Sequence, residues 1–230
     1  MKLGRDKYVK CPSCQEHAKH ATLDSGNTFG AILWTDGFQY APMMPRPPPI
    51  VKCSRCNAVL WRKDFQALSH QDTVSDFLNK GKIYTKAPFV QEPCEHELYA
   101  AIANGGLGRD ATKILLARKL AWWKHNDKIR WGKRPDNDDN EDDAKETTGD
   151  NQDDTAWREN VQALVALLDD DKDDNACILK AEALRELGRF EESLQVLSTV
   201  TSDKYAWITR QIQQLCEACD TMVRELSRRN

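Results

Sequence analysis

The sequence lacks any hydrophobic run that is long enough to cross a membrane. Its 230 residues have a mean hydropathy of −0.69, and no apolar stretch approaches the roughly 18 residues that a membrane helix needs. Residues 1–7 carry charges with no apolar stretch after them, which excludes an ordinary signal peptide. We therefore expect a cytoplasmic protein that makes no contact with a membrane.

Recognisable catalytic motifs are also missing. The sequence contains no HExxH motif of metalloproteases, no Walker A phosphate loop and no GxSxG nucleophile elbow. We therefore expect a protein that is not an enzyme. A metal-dependent enzyme, whose site is assembled only in three dimensions, stays open as a third alternative.

Charge is unevenly distributed, although the net charge of the chain is only −3. Residues 1–63 contain ten Lys and Arg against four Asp and Glu, whereas residues 136–154 contain one basic and ten acidic residues. A basic front half can indicate nucleic-acid binding, although four thiolates with a zinc ion would reduce this excess. The acidic run predicts a disordered linker or loop over residues 135–155.

Cysteine pairs form the strongest motif in the chain. Four of the eight cysteines lie in two CxxC pairs, which are separated by 38 residues. Without a secretory signal, such pairs favour metal ligation over a disulfide framework. Each pair places two thiolates on one tight turn, and two turns complete a tetrahedral shell at about 2.3 Å from Zn²⁺. We predict one structural zinc ion, with the ligands Cys11, Cys14, Cys53 and Cys56.

The segment around these pairs resembles a zinc ribbon, with the knuckles Cys11-Pro12-Ser13-Cys14 and Cys53-Ser54-Arg55-Cys56. Ribbons often carry glycine directly after the second cysteine of each knuckle, whereas this chain has Gln15 and Asn57 there. Because four thiolates leave no open position on zinc, we expect the site to stabilise the fold and not to catalyse.

Two histidines, His17 and His20, follow the first knuckle closely. They are alternative metal ligands, but four ligands within about ten residues would be cramped around a tetrahedral ion. We therefore expect both to be solvated surface residues.

A further CxxC lies near the C-terminus, at Cys216-Glu217-Ala218-Cys219. It fits a redox pair, or half of a second zinc site together with Cys94, His96 or Cys177. We favour the interpretation that these cysteines are buried and pack as small hydrophobic residues, because Cys219 lies on the apolar stripe of a predicted helix.

The hydrophobic pattern divides the chain into five segments. The pattern predicts a strand at Phe29–Trp34 and a hairpin turn at Asp36-Gly37, and from residue 94 the apolar spacing is helical. The predicted order is a zinc ribbon over 1–63, a connector over 64–93 with a short helix at Val74–Leu78, a helical hairpin over 94–134, the acidic linker over 135–155 and helices over 156–230. The fold class is therefore α+β in several modules, with a small β ribbon followed by an all-α array.

Part of the last segment resembles a tetratricopeptide repeat. The matching positions are Cys177, Ala181, Leu184, Leu187-Gly188-Arg189-Phe190, Leu197 and Val200. The chain departs from the family at Ser193, where alanine is frequent. The resemblance implies a helix, a glycine turn and a second helix; Ala111–Trp123 and Trp157–Leu168 would form a preceding unit, and Ile208–Leu226 a long closing helix. An irregular helical bundle is the alternative.

These modules favour a non-catalytic adaptor, which binds a protein or peptide partner on a helical-repeat surface. The candidate binding residues are Arg55, Trp34, Trp61, Trp122 and Trp123. The adjacent Trp122 and Trp123 also fit simple core packing, which we favour.

The alternative function is a nucleic-acid-binding or transcription-associated zinc-ribbon factor. In that interpretation Arg55 contacts phosphates together with Lys52, Arg62 and Lys63, and the ribbon tryptophans Trp34 and Trp61 stack on bases.

Overall fold

The computed structural model describes residues 1–68, 86–131, 150–168 and 173–227. The chain divides into two compact units. Unit 1 comprises Met1–Ala31 and Tyr40–Gly108, and unit 2 comprises Ile32–Gln39 and Arg109–Asn230. Each unit therefore combines segments that are far apart in the sequence.

The described residues form ten short strands and six α-helices. The strands are β1 (Lys2–Leu3), β2 (Lys7–Lys10), β3 (His17–His20), β4 (Leu23–Ser25), β5 (Ile32–Trp34), β6 (Gln39–Tyr40), β7 (Ile50–Lys52), β8 (Val59–Trp61), β9 (Gln66–Ala67) and β10 (Glu225–Leu226). The helices are α1 (Glu95–Ala103), α2 (Ala111–Arg130), α3 (Asp150–Leu168), α4 (Asp174–Glu186), α5 (Phe190–Leu197) and α6 (Ala206–Glu217). None of these helices combines the length and the apolarity that crossing a bilayer requires.

Unit 1 contains an antiparallel sheet in the order β3-β2-β9. Because side chains alternate along a strand, Val9 and its partner Ala18 point to the same face, and both are buried. Strands β7 and β8 pair as a second hairpin, and β1 pairs with β4. Cys11 and Cys53 belong to the same buried cluster as Val9 and Ala18. Two of the predicted metal ligands are thus part of the apolar core.

Residues just before α1 connect β3 with β7. The backbone N–H of Lys19 donates to the Pro88 carbonyl at 2.8 Å, and Val90 N–H donates to the Lys19 carbonyl at 3.1 Å. Lys52 and Gln91 exchange two backbone hydrogen bonds of 2.8 and 2.9 Å. The segment therefore completes the backbone pairing of unit 1.

This pairing differs from the connector that the sequence predicts over residues 64–93. Residues 64–68 and 86–93 lie within unit 1. Residues 66–67 form β9, which pairs with β2, and residues 89 and 91 form isolated backbone bridges. Pairings this short leave no periodic hydrophobic pattern in the sequence. The predicted helix at Val74–Leu78 lies outside the described residues.

Helix α1 also belongs to unit 1. Cys94 caps it, and the Glu97 carboxylate accepts a hydrogen bond from Cys94 N–H at 2.8 Å in a capping box. Leu98 and Ile102 are buried. The predicted helical hairpin over 94–134 joins this helix to α2, whereas α1 lies in unit 1 and α2 in unit 2.

Helices α2 and α3 pack antiparallel in unit 2. The Arg118 guanidinium donates to Asn160 Oδ1 at 3.3 Å, and Asn160 Nδ2 donates to the Arg118 carbonyl at 3.0 Å. Further along α2, the His125 ring stacks on Trp157, with 5.0 Å between the ring centroids. The contacts move towards the C-terminus of α2 and towards the N-terminus of α3, so the two helices run antiparallel.

Helices α4 and α5 form a hairpin around Gly188. Gly188 has a φ of 76°, and the N–H groups of Gly188 and Arg189 donate to the carbonyls of Arg185 and Leu184, both at 2.9 Å. This is a Schellman motif, which needs a left-handed residue after the helix. The buried Ser193 hydroxyl donates to a carbonyl of α4 at 2.7 Å, so its polar atom is satisfied. The helix–glycine–helix element is present, and a full tetratricopeptide array stays a prediction.

The predicted long helix over Ile208–Leu226 is wrong. Helix α6 ends at Glu217, where Cys219 adopts a φ of 51° and Asp220 N–H donates to the Leu215 carbonyl at 3.0 Å. The residues that follow form β10, which pairs with β5. Of the residues that continue the apolar spacing past the helix end, Leu226 is buried in β10, whereas Cys219 and Met222 are exposed.

The Asp36-Gly37 hairpin is present, and it lies in unit 2. Gly37 has a φ of 76°, and Trp34 N–H donates to the Phe38 carbonyl at 2.9 Å. Strand β5 of this hairpin lies between β6 and β10. The sequence predicts the hairpin within the zinc ribbon, because it lies between the two knuckles in the chain.

A buried polar network holds the hairpin turn in unit 2. Asp36 accepts hydrogen bonds from the Arg130 guanidinium and from Asn126 Nδ2, the latter at 2.9 Å. The side chains of Asp36 and Arg130 are both 0% exposed. Asn126 also donates to Glu186 at 3.1 Å, and Trp122 Nε1 donates to Glu186 at 2.7 Å. Burial raises the pKa of Glu186 to about 8, and the nearby charge of Glu182, one turn earlier on α4, acts in the same direction.

The predicted acidic linker over 135–155 lies mostly outside the described residues. Its last residues are described, because α3 begins at Asp150. Residues 150–155 are therefore helical and not linker.

Replacing Asp36 tests the buried network. We expect Asp36→Ala to lower the free energy of unfolding by about 3–5 kcal/mol, because the Arg130 guanidinium then stays buried without its carboxylate. Glu192→Ala is the matched control: it removes the acid of the exposed pair with Arg189 and should leave stability nearly unchanged. Urea denaturation followed by helical circular dichroism gives both values, and equal losses would contradict the expectation.

Candidate metal centre

Two turns of the same geometry present the four predicted ligands. In the first turn the backbone N–H of Gln15 donates to the Cys11 carbonyl at 2.9 Å, and in the second Asn57 N–H donates to the Cys53 carbonyl at 2.8 Å. Gln15 and Asn57 have φ values of 63° and 59°. Both side chains thus tolerate the left-handed conformation for which glycine is the usual residue.

The sulfur atoms lie at the separation that a tetrahedral zinc ion requires. Cys11 Sγ lies 3.9 Å from Cys56 Sγ, and Cys14 Sγ lies 3.8 Å from Cys53 Sγ. All four sulfurs are within 4.8 Å of one another. A Zn–S bond of about 2.3 Å in a tetrahedron places sulfurs about 3.8 Å apart. The four thiols therefore fit one metal ion, with the dimensions of zinc.

The protein environment of these thiols is not uniform. Burial raises the pKa of Cys11 and raises that of Cys14 to about 12. At Cys56 burial acts in the same direction, but hydrogen bonds from the Ala58 N–H and from neighbouring thiols lower the pKa to about 7. A bound divalent metal deprotonates coordinating thiols outright, so metal binding at this centre releases protons.

The chemistry of the donor set is that of a structural site. Soft thiolate ligands suit zinc, and four of them fill a tetrahedral shell. No position is left for a water molecule or a substrate in that shell. Such a centre supplies folding free energy, and it supplies no activated nucleophile.

His20 is buried, and the expectation of a solvated side chain there is wrong. It is 6% exposed and packs edge-on against Phe65, with 5.2 Å between the ring centroids. Strand alternation places His17 on the opposite face of β3. Burial and the charges of Arg62 and Lys7 lower the pKa of His20 to about 4. His20 is therefore a neutral core residue outside the ligand cluster.

The second CxxC does not form a pair of buried cysteines. Cys216 is 3% exposed and its Sγ lies 3.4 Å from Ser193 Oγ, as the packing interpretation predicts. Cys219 is exposed beyond the end of α6, so that interpretation is wrong for Cys219. Within the described ranges, no cluster of potential metal ligands includes Cys94 or Cys177.

The five candidate binding residues divide between the two units. Arg55 is exposed on the second knuckle, and Trp61 is 5% exposed, with its indole N–H on the Leu107 carbonyl at 2.8 Å.

The other three candidates lie in unit 2. Trp122 is 0% exposed within the buried polar network, and Trp123 Nε1 donates to the Asp36 carbonyl at 2.9 Å. Trp34 is half-buried and edge-on to Trp131. The rings of Trp122 and Trp123 therefore pack and hydrogen-bond within unit 2, as the core-packing interpretation predicts.

Cysteine substitution tests the ligand set. We expect the full chain to hold one zinc ion, and Cys53→Ser to lose it together with the fold of unit 1, while most helical dichroism survives because five of the six described helices belong to unit 2. Cys94→Ser is the matched control, since serine is a good helix N-cap and Cys94 lies outside the cluster. Inductively coupled plasma mass spectrometry counts the metal. Unchanged zinc in Cys53→Ser would refute the four-cysteine site.

The buried His20 predicts a specific loss of stability in acid. Its pKa is about 4 in the folded state against 6.5 unfolded, so the unfolded chain gains a proton first as the pH falls. Stability is therefore full above about pH 6.5 and decreases towards pH 4, by at most about 3 kcal/mol. In His20→Leu this contribution is absent. Zinc release in acid affects both proteins, so the difference between their unfolding free energies across pH isolates the histidine.

The paired knuckles and the close approach of the four sulfur atoms are the observations that define this centre. Comparisons with protein-family models, with curated proteins and with solved structures gave no match.

Proposed function

We propose that this chain is a non-catalytic, zinc-stabilised adaptor that binds a protein partner. The closed set of four thiols carries the proposal, because it supports a metal that holds the fold and performs no reaction. The same zinc fixes the loops that lie between the knuckles. The function then depends on the surfaces that those loops and the helices expose.

Helix α4 of the α4–α5 hairpin already contacts other segments of unit 2. Arg185 of α4 donates to the carbonyls of Asp220 and Met222, the latter at 2.9 Å. The hairpin turn at Gly37 approaches Leu179 of the same helix. A peptide groove along α4, as the tetratricopeptide resemblance implies, would require these segments to move. We therefore place the partner elsewhere.

Two loops of unit 1 offer an exposed apolar surface. Phe29 is 85% exposed, and Met43 and Met44 are 38% and 45% exposed. The loops are joined by a hydrogen bond from Asn27 N–H to the Met43 carbonyl at 3.3 Å. Exposed apolar side chains that lie together are typical of sites for protein partners. We assign the contact with the partner to Phe29, Met43 and Met44, which we call the apolar loop pair.

Affinity purification from the native cell, with and without nuclease, tests the adaptor proposal. We expect the tagged chain to retain a stoichiometric protein partner after nuclease treatment, and Phe29→Ser combined with Met43→Ser to lose it. Met222→Ser is the control for loss of an exposed apolar residue at another site, since Met222 is 50% exposed. If the partners disappear with nuclease and a nucleic acid co-purifies, the adaptor proposal is wrong.

Cobalt substitution tests the absence of an open metal position. We expect Co²⁺ to give the absorption of a tetrahedral four-thiolate site, unchanged by added cyanide or azide, because no coordination position is free. A spectral change on adding these anions would indicate an open site and favour the metal-dependent enzyme.

A further inference from the structure

The outer face of the β3-β2-β9 sheet combines aromatic and basic side chains. Val9 and Ala18 point into the core, so their neighbours along each strand point outward. The outward positions, with the adjoining residue of the segment before α1, are Tyr8, Lys10, His17, Lys19, Gln66 and Phe89. We call these six residues the sheet face. None of them is acidic.

One row of the sheet face alternates aromatic, basic and aromatic residues. Tyr8 pairs with Lys19 across β2 and β3, and Lys19 forms a parallel bridge with Phe89. Lys19 Nζ lies 4.7 Å from the centroid of the Phe89 ring, and Phe89 is 46% exposed. Two strand spacings separate the aromatic residues by about 10 Å. At this separation two planar groups could contact the two rings separately.

A second row adds positive charge beside the first. Lys10 pairs with His17 on one side and with Gln66 on the other. Lys10 and Lys19 are therefore two positions apart on adjacent strands. Lys19 neighbours both aromatic residues, and Lys10 lies two residues after Tyr8 on the same face of β2. A polyanion with planar substituents matches this arrangement, because its charges meet the lysines while its planes meet the rings.

We propose that the sheet face binds single-stranded nucleic acid. Lys10 and Lys19 contact phosphates, and exposed bases stack on Phe89 and Tyr8. An acidic peptide would satisfy the lysines and leave the aromatic rings without a planar partner. A duplex keeps its bases stacked inside, where a flat sheet does not reach them, so it is the weaker ligand.

This inference goes beyond the proposed adaptor function, because it adds a second ligand on a separate surface. The sequence interpretation assigned nucleic-acid contact to Arg55, Trp34 and Trp61. The buried Trp61 and the unit 2 residue Trp34 are not on the sheet face. In the strand sequences Lys7-Tyr8-Val9-Lys10 and His17-Ala18-Lys19-His20, the residues of the sheet face stand at every second position.

Fluorescence anisotropy with the zinc-loaded full chain tests the proposal. The probes are labelled single-stranded RNA and DNA homopolymers of about 12 nucleotides, a labelled duplex, and a poly-glutamate peptide of similar charge. We expect binding to the single strands, weaker binding to the duplex, and affinity that decreases steeply between roughly 50 and 200 mM salt.

Variants of the sheet face give the decisive comparison. Phe89→Ala and Tyr8→Ala should each weaken single-strand binding by about five-fold or more. Phe89→Tyr should keep the affinity of the original chain, because a tyrosine ring also stacks on bases. Lys19→Ala should make the slope of log affinity against log salt shallower by about 0.7. Phe29→Ala, which removes an exposed aromatic residue from the apolar loop pair, should have no effect. Zinc content and circular dichroism verify that each variant is folded.

Three results would overturn the proposal: no single-strand binding at low salt, binding that Phe89→Ala leaves unchanged, or poly-glutamate binding as tight as that of the single strands. None of them would affect the adaptor proposal, which depends on a nuclease-resistant partner of the apolar loop pair. Conversely, loss of that partner leaves the anisotropy result intact. The two experiments therefore fail independently.

Discussion

The approach of four sulfur atoms to within 4.8 Å is the constraint on which unit 1 depends. Its strands contain only two to four residues, and such short ladders do not support a domain on their own. Zinc in comparable small modules contributes about 10–16 kcal/mol. Because Cys11 and Cys53 are also core residues, a metal ion bound by the four thiols would hold the same strands as the apolar cluster. The apolar loop pair and the sheet face are both displayed by this one assembly.

Unit 2 is organised by a different interaction. In its core Asp36 accepts hydrogen bonds from Arg130 and Asn126. Asn126 also donates to Glu186, which accepts a further hydrogen bond from Trp122. A buried charge costs folding free energy unless it is paired. This network therefore restricts the hairpin turn to one position within unit 2. Apolar packing between helices tolerates small shifts, whereas hydrogen bonds to a buried carboxylate do not. The polar atoms therefore specify which segment completes the unit.

Local signals in the sequence predicted local structure well. The CxxC turns, the Asp36-Gly37 turn and the helix stop at Gly188 each depend on a few adjacent residues, and each is present. The sequence missed pairings between distant segments, namely β10 with β5 and residues 88–91 with β3 and β7, because backbone bridges carry no side-chain pattern. It also missed the burial of His20. In β3 a histidine stands at an inward and at an outward position, so the sequence does not reveal which face of the strand is covered. The sheet face was missed for the same reason.

The path of the chain has a consequence for dissecting the protein. Residues 32–39 lie between the two knuckles in sequence and belong to unit 2 in space, so the chain passes between the units three times, at residues 31–32, 39–40 and 108–109. No single cut separates the units intact. A fragment that starts at residue 109 contains five of the described helices and lacks Asp36, and β10 in that fragment has lost its pairing strand. The natural boundaries of this protein are discontinuous, and a circularly permuted or two-chain version would have to carry the hairpin together with the helices.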